Sequence, residues 1–390
     1  MPFLLSQLID VCRWLGALAV LALHTTNLFV NLGDIMSASH AAPVYVWWFL
    51  TSAECGHQAV VGFFVISGYL VGGGVLARMR TGQLELRSYF IHRISRIYLV
   101  LAPALFLTFV LDYAGRALFP DAAVYDWPAF RGHDSATLFL ATLANLQGIF
   151  FDYFGANGPL WSLACEFWYY VFFPLLLTPF ARTRPSRGRL IAFVLSLVAF
   201  VTFALTPGWF AFGFVIWSMG AFATLAPCAP VRSRVLACAL LVLCLIVIRL
   251  VVRGPLVNDY PWSVNLADFC SAALFVCLLL AFRDGPRDSV RILQARVHKT
   301  LADFSFSLYS IHMPILAFAR AGGEQFLGEA WIKRLAQPAN YAYALAVMAI
   351  AIIAAWGFSR LTEARTGAAR RRIGAFLDRI AGVAAGHTDR

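Results

Sequence analysis

Apolar runs of about the length of a bilayer-crossing helix recur along the whole chain. A hydrocarbon core takes about 20 apolar residues per helix, and runs of that kind lie near 11–31, 56–77, 97–115, 160–180, 190–206, 208–226, 234–252, 263–283, 301–320 and 339–358. The pattern predicts an all-α, polytopic integral membrane protein of about ten transmembrane helices. A further apolar run at 136–152 breaks the alternation of polar loops if it crosses fully, so it reads as a short re-entrant or interfacial segment. Residues 1–360 read as one transmembrane domain and 361–390 as a basic cytoplasmic tail, held partly by anionic lipid.

Composition agrees with this class. The chain of 390 residues is 61% hydrophobic and 13% charged, against roughly 25% charged residues in soluble domains. The net charge of +11 does not imply a nucleic-acid partner, because the basic residues collect in one set of loops. With the N-terminus inside, the outer segments hold only Arg116, Arg131, Arg249, Arg253, Arg320, Lys333 and Arg334 of the 31 basic residues. That bias places both termini in the cytoplasm. The eight Cys lie mostly within apolar runs, with no CxxC pair and no zinc spacing, so no metal is expected.

Ionisable groups inside apolar runs stand out against this background, since each must pair, face a polar cavity or do chemistry. Glu166 sits in WSLACEFWYY, about 9 Å below the outer edge by helical rise. His24 lies eleven residues beyond Arg13, or roughly 16 Å along a helix, which puts Arg13 at the inner face and His24 near mid-membrane. A neutral imidazole there suits a general base, and a core His bonded to a neighbouring helix fits equally well. The depths of His24 and Glu166 allow a carboxylate to steady an imidazole; a structural tie of Glu166 to Trp161 or Tyr169 is the alternative. Arg93 and Arg96 share one helical face, and guanidinium forks so spaced suit phosphate. Ser67 and Gly68, in GFFVISGYLVGGG, leave a narrow spot for a thin ligand, although helix packing explains the Gly68/Gly72 pair better. Tyr309 and His312 share a face of the ninth run, where Pro314 is expected to kink the helix and free a carbonyl.

Five of these segments, in order, resemble the membrane acyltransferase-3 family, which O-acylates bacterial carbohydrates. They are Arg13 with His24, GFFVISGYL, FIHRISRIY, GPLWSLACEFWYYVFFPLL and FSFSLYSIHMPIL, with Glu363 where a final Glu is common. The resemblance implies a cytoplasmic acyl-CoA donor, most simply acetyl-CoA, and a glycan or glycolipid hydroxyl acceptor reached from the periplasmic side of a bacterial inner membrane. It implies His24 as the central catalytic residue assisted by Glu166. Arg13, Arg93, Arg96, Ser67 and Gly68 would lie along the donor, and Trp161, Ser162, Tyr309 and His312 form a candidate acceptor or supporting site. Phe167 stands where the family often has a second acid. Many members carry a fused periplasmic esterase-like domain; this chain stops soon after its last run, so direct transfer or a separate periplasmic transferase is expected. The rival class is a transporter or flippase of a lipid-linked sugar.

Overall fold

A computed structural model describes residues 1–30, 39–180, 186–251, 262–285, 293, 296–332 and 337–388. The basic residues Arg182, Arg184, Arg253, Arg287, Arg291, Lys333, Arg334 and Arg390, counted in the charge bias above, lie outside them. The described residues form helices joined by loops, with no strand and a single isolated bridge between Gln147 and Phe151. The helices are α1 (Phe3–Phe29), α2 (Ala42–Leu50), α3 (Ala53–Ser67), α4 (Gly73–Arg80), α5 (Leu86–Leu118), α6 (Ala136–Leu143), α7 (Trp161–Leu176) and α8 (Arg187–Ala204). They continue with α9 (Phe210–Ala223), α10 (Arg234–Val251), α11 (Trp262–Asp284), α12 (Arg296–Ala302), α13 (Ser305–Leu327), α14 (Glu329–Ile332), α15 (Pro338–Leu361) and α16 (Thr366–Thr388). Each of the ten predicted runs overlaps a helix, but 301–320 is broken at the α12–α13 bend and 208–226 holds only the 14 residues of α9. Among the described residues eight helices are fit by length and composition to cross a membrane, or nine if α12 and α13, bent by 53°, count as one. The run at 136–152 is not a crossing: α6 has eight residues, about 12 Å of helix, and the segment then turns back onto α7.

The outward faces explain why this chain needs lipid. Leu190, Ile191, Val194, Leu195 and Val198 of α8 are exposed, as are Val235, Leu243, Val247 and Leu250 of α10. Such continuous apolar surface is stable against acyl chains and not against water. The chain is a multi-pass membrane protein. Inside, one aromatic-rich core joins α3, α7, α9 and α11 around Phe64, Tyr169, Phe172 and Trp217. A second joins α1, α5, α13 and α15 around Leu21, Ala104, Leu316 and Ala351. α1 serves both cores, so Arg13 and His24 lie along the junction.

Three local features shape that junction. First, α3 passes into α4 through a π-helical segment, Gly68–Gly72, immediately after Ser67. A Cβ at Gly68 would stand 1.8 Å from the Trp217 carbonyl oxygen, so only glycine lets α9 cross there. Second, Pro174 and Pro314 lie inside α7 and α13; each lacks the N–H that would bond the carbonyl four residues back. Both freed carbonyls are taken up from neighbouring elements. The Tyr89 hydroxyl donates to Tyr170 O at 3.0 Å, and Asn157 Nδ2 donates to Ser310 O at 2.9 Å. Third, α5 has 33 residues, about 50 Å, and outruns a core of about 30 Å. Its first turns, with Arg93 and Arg96, extend past the apolar zone.

Candidate functional site

Two cavities meet at three arginines. The larger, about 630 Å³, is a vestibule at the basic end, walled by the first turns of α5, the α12–α13 bend, the end of α15 and the start of α16. The smaller, about 210 Å³, runs inward between α1, α3, α5, α7 and α13 and is lined by Ser67, Ser162, Glu166, Tyr170, Phe63 and Tyr309 among others. Arg13, Arg93 and Arg96 line both. They therefore mark the mouth between a charged antechamber and a largely apolar inner chamber.

One carboxylate, Glu363, faces the arginines of the mouth. Arg13 Nη2 lies 4.0 Å from Glu363 Oε1, while Glu363 Oε2 accepts from the Ser307 hydroxyl at 3.0 Å and the Ser307 N–H at 3.3 Å. Glu363 thus ties the 3₁₀ turn after α15 to α13 and orients Arg13. Arg93 lies over the Tyr89 and Tyr170 rings, with its Cζ 6.0 Å and 5.8 Å from their centroids, and its Nε is buried without a hydrogen-bond partner. Buried donors of this kind are costly unless something accepts from them.

In the inner chamber the polar groups form a directed chain. The Tyr170 hydroxyl gives its single proton to Glu166 Oε1. Ser67 must then be the donor in its 3.0 Å contact with the Tyr170 oxygen, and Ser67 accepts in turn from Trp217 Nε1 at 3.0 Å. Every donor in this chain points toward the carboxylate. Glu166 is therefore tied to Tyr170, not to Trp161 or Tyr169. The Tyr169 hydroxyl is committed to Phe210 O at 2.6 Å, and the Trp161 ring lies edge-on to Trp209, 5.7 Å between centroids, outside both cavities. A second short chain runs from Ser162 Oγ to the Tyr309 hydroxyl at 2.5 Å and on to Pro159 O at 2.7 Å.

His24 lines neither cavity. Its ring faces His312, with centroids 5.2 Å apart, and His312 is 6.0 Å from the Tyr309 ring. His312 Nδ1 lies 3.1 Å and 2.9 Å from the carbonyls of Leu308 and Tyr309, so it carries the proton and donates. Nε2 keeps its lone pair, buried and without a partner. The expected His24–Glu166 contact is replaced by an imidazole pair, and Tyr309 is the side chain that touches both that pair and the inner chamber. Gly68 is also corrected: it faces the α9 backbone and serves packing, whereas Ser67 beside it faces the chamber.

Of the residues expected to take part, Arg13, Ser67, Arg93, Arg96, Ser162, Glu166 and Tyr309 line one or both cavities, and His24, Gly68, Trp161 and His312 line neither. Sequence reasoning missed Tyr170, Glu363 as Arg13's partner, and the vestibule residues His92, Arg360 and Arg370. It also missed an outer cluster in which fully buried Asp268 accepts from Gln58 Nε2 at 2.7 Å and faces His57 Nε2 at 2.7 Å. An Asp in an apolar run was the available signal. The tail is not a free appendage: Arg87 and Asp378 form a 2.7 Å ion pair that lays α16 against α5.

Over residues 7–360 the chain matches the Acyl_transf_3 family, described as an acyltransferase domain. The chain belongs to this family. It is 31% identical over 148 residues to an uncharacterized protein of Haemophilus influenzae, covering 35% of this chain and 55% of that one. It is 30% identical over 169 residues to the peptidoglycan O-acetyltransferase OatA of Listeria monocytogenes, 40% of this chain and 26% of that protein. It is 26% identical over 373 residues to the acyltransferase MdmB of Streptomyces mycarofaciens, 88% and 86% of the two chains. The match thus spans about half of the first relative's length and about a quarter of the second's. No solved structure matches.

Proposed function

We propose that this acyltransferase moves an acyl group, most simply acetyl, from acyl-CoA at its basic face to a hydroxyl of a glycan or glycolipid at the other face. The supporting observation is the joined pair of cavities. A cationic vestibule opens through Arg13, Arg93 and Arg96 into a narrow, mostly apolar chamber, and that sequence of environments suits a ligand with phosphates at one end and a thin acyl-bearing arm at the other. Guanidinium groups take phosphate oxygens in forked pairs, and the apolar walls suit the pantetheine arm. The relatives named as O-acetyltransferase and acyltransferase support the same class of reaction. The basic end faces the cytoplasm, where the charge bias puts it.

In this reading the arm passes Ser67 and Tyr170 and brings the thioester toward Tyr309 and the imidazole pair. His24 takes the proton of the acceptor hydroxyl as its oxygen attacks the acyl carbon. The carbon–sulfur bond breaks, the ester forms, and the proton passes to the departing thiolate. His312, its tautomer set by two backbone carbonyls, turns an unprotonated Nε2 into the same buried region. Glu166, held as an acceptor by Tyr170, acts from the inner chamber, where the acyl-bearing arm would lie. Trp161 and Trp209 stand at the outer end, where a sugar acceptor would enter.

The test is transfer of labelled acetyl from acetyl-CoA by the purified, reconstituted protein, with CoA binding measured separately. His24→Ala should lose at least 100-fold in transfer, the usual scale for a lost general base, and keep CoA binding. Transfer above about a tenth of wild type removes His24 from the chemistry. A wild-type protein that moves a lipid-linked sugar without consuming acetyl-CoA is instead a transporter.

A further inference from the structure

Part of the vestibule is built by residues beyond the stretch that matches the family. That stretch ends at residue 360, yet Arg370 of α16 lines the vestibule beside Arg360 and His92. Arg370 is placed by contacts of its own helix. Arg87 and Asp378 pin α16 two turns further along, and Arg370 Nη1 lies 3.2 Å from His92 Nδ1. Its Nε is buried and has no hydrogen-bond partner. Around the cavity stand five arginines against two carboxylates. One carboxylate, Glu363, is already engaged by Arg13 and Ser307, and the other, Asp303, lies 3.1 Å from Lys299. The vestibule is cationic, and two of its guanidinium N–H groups, Arg93 Nε and Arg370 Nε, are buried without an acceptor, which suits an anionic ligand.

The order of the arginines carries the argument further. Arg13, Arg93 and Arg96 line both cavities and so stand nearest the inner chamber; Arg360 and Arg370 line only the vestibule. Coenzyme A has the same order: thioester, pantetheine arm, pyrophosphate, then a ribose 3′-phosphate. We infer that Arg370, with Arg360, binds the phosphate farthest from the acyl group, the ribose 3′-phosphate, while the mouth arginines take the pyrophosphate. This rests on the coenzyme A reading above and assigns α16 to the donor site.

Calorimetric binding of CoA and of 3′-dephospho-CoA to the full chain in detergent tests it. Wild type should bind CoA about tenfold or more tighter than the dephospho form, the scale of one charge-assisted contact. Arg370→Ala should lose most of the preference for CoA over the dephospho form while binding the dephospho form as wild type does, and Arg370→Lys should fall between, keeping charge without the fork. Arg93→Ala should weaken both forms together. Equal binding of the two forms by wild type, or an equal loss for both in Arg370→Ala, overturns the assignment to Arg370 while leaving the donor reading intact. Failure of wild type to bind either form overturns the donor reading, and this inference with it.

Discussion

Glu166 shows how far a single residue can be read from its neighbours in the chain. A carboxylate inside an apolar run announces itself because its solvation must be replaced. Which group replaces it depends on how α7 sits among α3, α5 and α9. Residues three and four positions on both lie near Glu166 on a helix; packing sends the Tyr169 hydroxyl to α9 and leaves Tyr170 for the carboxylate. The chain Trp217, Ser67, Tyr170, Glu166 yields a sharp expectation. Glu166→Gln retains an oxygen to accept from Tyr170, so thermal unfolding in detergent should change little. If the charge serves the reaction, kcat should fall about 100-fold or more, as when the orienting acid of a triad is neutralised. A near-normal kcat for Glu166→Gln, with strong destabilisation in Glu166→Ala, would make the residue a structural tie. The same contrast at Tyr309→Phe separates its two roles: loss of the bonds to Ser162 and Pro159 should cost about 1–3 kcal/mol in unfolding, and loss of transfer beyond that shift implicates the hydroxyl in the reaction.

At the scale of elements, the long apolar helices were legible and the short ones α2 and α12 were not. A run such as α10 has no soluble alternative, whereas α2 and α12 depend on the neighbours they lie against, which pattern alone does not reveal; for the basic tail, a helix was expected but not its packing on α5. The expected effect of Pro314 was legible in kind: it does free a carbonyl, and the acceptor is used by Asn157. Two apparent exceptions to the charge bias also resolve at this scale. Arg249 stacks on Trp48 at 3.8 Å and lies 3.8 Å from Glu54. Arg320 and Glu324 form a buried 2.7 Å pair, both side chains 2% exposed, and they tie α13 to the end of α1 through Leu28 O and to the loop at Val124 N–H. These arginines serve packing, not orientation. Removing one partner of such a pair leaves an uncompensated charge and costs about 3–5 kcal/mol. Arg320→Ala should therefore lower the unfolding midpoint in detergent strongly, and the double variant Arg320→Met with Glu324→Leu should recover much of the loss. An additive double variant would show that the two residues act separately.

For the whole molecule, the joined cavities acquire a direction only from orientation in the membrane. The vestibule and the loop between α9 and α10 belong to the same basic end: Arg283 Nη2, at the end of α11, donates to Ala226 O at 2.9 Å, and Cys228 in that loop is exposed. If the charge bias sets topology, Cys228 faces the cytoplasm with the vestibule, where acyl-CoA is made. A membrane-impermeant maleimide should then leave Cys228 unmodified in intact spheroplasts and label it in inverted vesicles, with Cys228→Ser as the control. CoA added outside should likewise bind to inverted vesicles and not to intact spheroplasts. Labelling of Cys228 in spheroplasts would turn the molecule over. The vestibule would then open where no acyl-CoA is found, and the arginines at its mouth would have to serve an anion of another kind, such as the headgroup of a lipid-linked acceptor.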